Sequence, residues 1–216
     1  MGRQSDAKER LMEAVLELTV NGSFGALRID DICKKAEVKK GSFYYFFPSK
    51  EDLLIAALED LWLTEWKPYL ERHFSSGEPP LECLRSYLAK GVECQERAAR
   101  ENGRVCGCGI LSLASEVTLL DERVAAITRD IFARKRRYFE TCIKDAVAQG
   151  EIPPGGCEAR AAGLWALIEG ALVQARVLND LTPLRYLPDL AVALLKSPLA
   201  CAACPVTDAK EVGQTL

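Results

Sequence analysis

The sequence is poor in the residues most proteins use for acid–base and metal chemistry. One histidine and two methionines stand among 216 residues, and aromatic side chains are 7%. A histidine-based catalytic triad would have to use His73. It sits at a predicted helix end with no evident partner, which reads as an exposed polar residue. No phosphate loop, metal cluster or nucleophile–base arrangement is present, so nothing points to an enzyme, and no cofactor or metal is implied. No apolar run reaches the roughly 18–20 residues of a spanning helix, and Met1–Arg10 is polar and charged with no apolar signal core. The expectation is a cytoplasmic protein with no membrane partner. β-Alternation, internal repeats and low-complexity blocks are absent as well.

What is present is an apolar fraction of 49% with 27% charged residues, enough for a packed core. Nine cysteines are an odd number that could not all pair internally, which fits a reducing compartment and free thiols. The net charge is −3, but it is unevenly placed: residues 28–50 hold six basic side chains (Arg28, Lys34, Lys35, Lys39, Lys40, Lys50) against Asp30, Asp31 and Glu37. Positive potential is thereby confined to one short segment.

Helical periodicity runs through nearly the whole chain and predicts an all-α protein of about nine helices. Leu11, Ala14, Val15 and Leu18 mark the first, with Ser5 or Asp6 as N-cap and Asn21-Gly22 as stop. The second spans about 28–36, with Ile29, Ile32, Cys33 and Ala36 on one face. The third runs from Lys40 to before Pro48. Ser49 caps a long fourth helix reaching Phe74, kinked at Pro68. The others are predicted at about 80–101, 108–117, 121–149, 158–179 and 184–197. Segment 158–179 is nearly all apolar, but Arg160, Glu169 and Arg176 punctuate it, so it reads as a helix buried on two sides. Three units are expected: residues 1–52, residues 53–198 and a tail from 199 to 216.

Helices two and three are joined by Glu37-Val38-Lys39, a helix-turn-helix. Ile32, Ala36, Val38 and Phe43 would form its small core. Lys40, Gly41, Ser42, Tyr44 and Tyr45 lie at the start or on the exposed face of the third helix, whose free N–H groups suit a DNA phosphate. The alternative is a solvated basic face on a helical interaction module or enzyme with a degenerate head.

The run from Phe24 to Leu53, above all Ala36-Glu37-Val38-Lys39-Lys40-Gly41-Ser42-Phe43-Tyr44-Tyr45-Phe46-Phe47-Pro48-Ser49-Lys50-Glu51-Asp52-Leu53, resembles the DNA-binding domain of the TetR family of transcriptional repressors. The resemblance implies phosphate contacts from Arg28, Tyr45, Lys50 and the Gly41 amide, and base contacts from Lys40, Ser42 and Tyr44. Glu37 stands where the family usually has a turn glycine, Leu27 where it often has threonine, and Lys39 in place of the usual serine cap, where it would add a phosphate contact. The resemblance also implies a homodimer through the last two long helices, reading a palindromic double-stranded operator, and a ligand-sensing larger domain. Leu164, Trp165, Leu167, Ile168, Leu172 and Val173, with Gly163, Gly170 and Ala171, suit a close helix–helix interface.

Trp62, Trp66 and Tyr69 on the fourth helix, with Tyr87, Cys108, Leu111, Trp165 and Arg176, are the expected walls of an inducer pocket, though such aromatic and apolar residues are more often plain core. The segment Arg104–Val117, with Gly107-Cys108 opening a short apolar helix, is similar to the NemR-like, cysteine-sensing branch of the family. That similarity makes Cys108 a redox or electrophile sensor, with Arg176 as the cation beside it. A thiol at a helix N-terminus between accessible glycines would have a lowered pKa, and Cys106 would be a strained resolving partner. Release of DNA would follow either modification of Cys108 or reversible binding of an apolar small molecule. Arg134-Lys135-Arg136-Arg137 reads as a solvated face, and Cys201-x-x-Cys204 as an isolated pair with weak metal spacing.

Overall fold

The computed structural model describes residues 2–117 and 121–198. Among them it is all helical, without strands, in the order α1 (Gly2–Asn21), α2 (Ile29–Ala36), α3 (Lys40–Phe46), α4 (Lys50–Leu61), a π-helical turn (Trp62–Trp66), α5 (Lys67–Phe74), α6 (Pro80–Asn102), α7 (Gly109–Val117), α8 (Glu122–Ala148), α9 (Cys157–Leu178), α10 (Thr182–Arg185) and α11 (Leu187–Lys196). The nine predicted helices are all there, the last split into α10 and α11. Cys201-x-x-Cys204 and the expected tail lie outside the described residues.

α1 begins at Gly2, so Ser5 and Asp6 lie inside its first turns and do not cap it. Ser49 does cap α4, its hydroxyl accepting from the Asp52 amide at 3.1 Å. The break in the long fourth rod comes before Pro68, as the π-helical turn, with the Lys67 amide reaching back five residues to the Trp62 carbonyl. The proline ring excludes a regular bond to the carbonyl four residues back, and the wider turn accommodates that loss.

Two apolar clusters form the core. One joins α1–α4, α7 and the start of α8 around Leu11, Ile32, Phe43, Leu54 and Ile131. The other joins α6, the end of α8 and α9–α11 around Leu84, Ile143, Leu164 and Leu195. Phe74 and Tyr87 pack against both. Within one chain α9 is buried on one side. Arg160, Ala161, Leu164, Ile168 and Ala175 face inward. Ala159, Ala162, Ala166, Val173 and Val177 are exposed on the opposite side. By length and composition this one helix of the described residues is long and apolar enough to cross a membrane, a correction to the expectation that none would be. Arg160 is nonetheless buried within the fold, its guanidinium donating to the Leu195 and Ser197 carbonyls at the end of α11.

Candidate DNA-reading head and effector cavity

The head is built as its pattern predicts. Ile32 and Phe43 are fully buried, Ala36 nearly so, and Val38 packs against them. Glu37 closes α2 at φ 54°, a left-handed conformation that costs a side-chain-bearing residue about 1 kcal/mol and that glycine adopts freely. With Phe43 turned inward, Tyr44 and Tyr45 are thrust outward, 53% and 71% exposed. Lys39, Lys40 and Gly41 are exposed beside them at the N-terminus of α3. A Cβ on Gly41 would meet nothing within 4 Å, so the fold itself does not require glycine there.

The charged residues of this face are held by neighbours. Arg28 Nε lies 3.2 Å from Asp31 Oδ2, and Lys40 Nζ lies 2.7 Å from Asp30 Oδ1. Lys50 is placed otherwise than the resemblance implies. Its ammonium donates to the Phe24, Gly25 and Leu27 carbonyls at 2.9, 3.1 and 2.9 Å and sits 4.7 Å from the Phe24 ring centroid. All three donors are taken up in tying the α1–α2 loop to α4, which leaves none for a phosphate.

The same loop is gripped from the other side by α7. Glu116 accepts from Ser23 Oγ at 2.6 Å, the Gly25 amide at 2.6 Å and the Phe24 amide at 3.0 Å. Burial pushes this carboxyl up, but the hydrogen bonds from Ser23, Gly25 and Phe24 and the charge of Lys50 outweigh it and hold the carboxyl below the usual range. Arg123 Nη1, on α8, reaches Asp52 Oδ1 on α4 at 2.8 Å. The head is therefore fastened to the larger part by α7 and α8 as well as by the chain itself.

Between the two core clusters lies a cavity of about 470 Å³. Trp66, Tyr69, Tyr87, Cys108 and Trp165 line it, as expected. Trp62 does not: it is buried under Arg134, 5.5 Å from its guanidinium carbon, and lines a second hollow between α5 and α8. Residues four apart share a face in an α-helix, but the π-helical turn rotates Trp62 and Trp66 apart. Leu111 is off the wall as well; its helix presents Ile110 and Leu113 instead.

Cys108 differs from expectation in its chemistry. Gly107 adopts φ 66°, and a Cβ there would come 3.0 Å from the Leu172 carbonyl and 3.1 Å from Arg176 Cβ. A Cβ on Gly109 would meet Val20 at 3.2 Å. The glycines thus let α7 approach α9 and α1; they do not open the sulfur to solvent. Gln95 clamps Gly107 with paired bonds of 2.9 and 3.0 Å. Burial and the neighbouring Glu169 carboxyl push the Cys108 thiol up to about 11, against the opposing effects of Lys135 and the Leu111 amide. At neutral pH the sulfur is therefore held as the thiol, not as the reactive thiolate. Arg176 is not its cation; it donates to Ser112 Oγ.

Three of the cavity residues that sequence reasoning missed bear on its chemistry. Glu169 was visible as the one acid in the interior of the apolar run 158–179, whose other acid, Glu158, stands at its first position. Phe139 carried no signal beyond its apolarity. Lys135 was hidden in the basic run 134–137, which is not one solvated face: Arg134 pairs with Asp130, Arg136 with Glu140, and Lys135 lines the cavity 4.7 Å from the Trp66 ring centroid. His73 also has partners, its Nε2 lying 2.8 Å from the Cys83 carbonyl and 3.0 Å from Ser86 Oγ.

Comparison with known proteins agrees with this arrangement. Residues 80–191 match the tetracyclin repressor-like C-terminal domain, and residues 11–57 match the family described as bacterial regulatory proteins, tetR family. The transcriptional regulator AcuR of Cereibacter sphaeroides is 28% identical over 79% of this chain and 77% of its own. The HTH-type transcriptional repressor NemR of Escherichia coli K12 is 27% identical over 93% of this chain and 97% of its own. In three dimensions, a TetR-family regulator from Agrobacterium tumefaciens superposes with a TM-score of 0.79 at 21% identity, over 90% of this chain and all of the other. The reduced form of E. coli NemR superposes with a TM-score of 0.76 at 23% identity, over 89% of this chain and all of the other. With more than half of the chain matched by its C-terminal domain and the helix-turn-helix by its N-terminal one, the protein belongs to the TetR family of transcriptional regulators.

Proposed function

We propose that this chain is a homodimeric repressor that reads a palindromic operator through α3 and lets go when a small molecule enters the 470 Å³ cavity. The division of labour follows the expected one, with residues 1–52 reading DNA and 53–198 sensing and dimerising. The observation that carries the reading is the double engagement of α7: its N-terminal end walls the cavity, and Glu116 at its other end grips the α1–α2 loop of the head. A ligand that favours one position of α7 shifts the head by that differential affinity.

Lys39, the Gly41 amide and Tyr45 supply phosphate contacts, with Lys40, Ser42 and Tyr44 beside the bases. Lys40 and Arg28 leave their aspartate partners for the DNA. Dimerisation is supported by α9. Its exposed Ala159, Ala162, Ala166, Val173 and Val177 make a stripe of small apolar side chains, extended by Tyr186 and Leu190 at 60% and 51% exposure. Such a stripe permits close packing against its copy, and two-fold symmetry then places two α3 helices about one turn of DNA, roughly 34 Å, apart.

A second reading, release on modification of Cys108, has the thiol's place on the cavity wall in its favour and its protonation against it. The test is to select a bound sequence from random DNA and follow its release by fluorescence anisotropy. Affinity that falls steeply with salt and prefers one sequence supports the repressor; equal, weak binding to all DNA refutes it. Titration with a thiol-reactive electrophile, wild type beside Cys108→Ser, separates the readings. Equal behaviour leaves reversible binding alone.

A further inference from the structure

The cavity wall is aromatic and aliphatic except for a few polar groups, and two of these, Thr19 Oγ1 and Glu169 Oε2, are buried without a hydrogen-bond partner. Glu169 is the only acidic side chain lining it. One face of its carboxylate meets the Cys108 thiol. The other oxygen, Oε2, is shielded from solvent and has no hydrogen-bond partner. Its burial pushes the carboxyl up, with the thiol and Lys135 working against that. An acceptor left unmatched in an apolar wall carries the full cost of its lost hydration.

The cations nearby do not answer it. Among the described residues no ion pair joins Glu169 to a lysine or arginine. Lys90 pairs with Glu93 at 2.8 Å, and Lys135 is drawn over Trp66. What the site lacks is a donor arriving from outside. Tyr69, Tyr87, Phe139 and Trp165 line the same cavity as Glu169. Aromatic faces attract a positive charge and exclude water from it. A carboxylate acceptor inside an aromatic box is complementary to an ammonium group on an apolar body.

From this geometry we infer that the effector is a compact hydrophobic amine, bound with its protonated nitrogen on the Glu169 carboxylate, which turns to bring the shielded Oε2 to the cavity, and with its apolar body among the aromatic rings. The inference rests on the cavity being the effector site. It gives Glu169 the specificity-determining role and leaves Cys108 as a neighbour that orients the carboxylate. Carboxylate-bearing molecules are discriminated against, because their charge would be set beside an acceptor that cannot share a proton with them once ionised.

Three probes of matched shape test it: 4-phenylbutylamine, 4-phenylbutan-1-ol and 4-phenylbutyrate. Binding to the full chain is read from the quenching of Trp66 and Trp165 fluorescence and from the thermal shift. The amine is expected to bind the wild type at least tenfold more tightly than the alcohol or the acid. Glu169→Gln keeps the shape and removes the charge. It should lose that tenfold for the amine and leave the alcohol within twofold. Acid bound as well as amine overturns the inference, as does amine affinity unchanged in Glu169→Gln. The wild-type series decides even if the variant does not fold. Lys135→Gln adds a control: amine affinity held or raised supports Glu169 as the anchor, while a loss of amine affinity overturns the inference. Operator release is measured separately by anisotropy. Amine selectivity without release sinks the effector reading and keeps the site. Release by the acid or the alcohol without amine selectivity sinks the site and keeps the repressor.

Discussion

Removing Glu116 should loosen the head without touching either the cavity or the DNA-facing side of α3. Its carboxylate takes three hydrogen bonds, from Ser23 Oγ and the Phe24 and Gly25 amides. Charge-assisted bonds are worth about 1.5–3 kcal/mol each when buried. The bonds to Ser23 and Gly25 are exposed, and water replaces much of what the carboxylate gives, so roughly 1 kcal/mol apiece is the better figure. Glu116→Ala should therefore destabilise by about 2–3 kcal/mol, lowering Tm by roughly 5–10 °C for a chain of this size. The pH dependence has a definite sign. Because the folded carboxyl is held below its ordinary value, its contribution is fully present above that ordinary value. It is lost as the pH falls through the lowered one. The gap between wild type and Glu116→Ala, followed by thermal unfolding at a series of pH values, should be open at neutrality and close in acid. Operator affinity should drop in the same variant, because the loop that orients α2 is freed on one side. A Tm unchanged within 2 °C at neutral pH, or a gap that survives into strong acid, would refute the reasoning.

Other perturbations follow from single contacts. Gly41→Ala adds a methyl group to open space in a helix, so Tm should hold or rise slightly while operator affinity falls at least tenfold; an unchanged affinity would mean that no DNA backbone approaches there. Glu37→Gly relieves a left-handed side-chain-bearing residue and should raise stability by about 1 kcal/mol, or 2–4 °C in Tm by calorimetry. Gly107→Ala forces a methyl group against the Leu172 carbonyl at positive φ and should cost at least about 2 kcal/mol, seen as an earlier urea midpoint. Ala166→Arg on the exposed stripe of α9 should shift sedimentation from dimer to monomer while leaving the far-UV circular dichroism in place.

The head was legible because its signals are local. Turn length, the Ser49 cap and the alternation of Ile32, Ala36, Val38 and Phe43 are all settled within a few residues of one another. The cavity was legible only in part. A periodic pattern says that one side of a helix is buried, but neighbours in space decide which of two adjacent apolar residues points inward, and α7 chose Ile110 and Leu113 over Leu111. Lys50 was assigned outward by analogy, yet three carbonyls of a loop more than twenty residues away claimed it. Cys108 was assigned a low pKa from its place at a helix start. Burial and a carboxylate from α9 outweighed that local effect, and neither is visible from the neighbouring sequence.

The π-helical turn at Trp62–Trp66 holds one residue more than an α-turn of the same height would. A surplus residue of this kind can be handed along a helix, each transfer turning the residue it passes by roughly 100° and shifting it by about 1.5 Å without a net loss of backbone bonds. Pro68 sets a stop on that travel toward the C-terminus, since it has no N–H to pass on. The rod that carries α4 and α5 thus holds a surplus residue bounded by Pro68. Its two tryptophans, one in each hollow, are the marks by which any turning of it would be read.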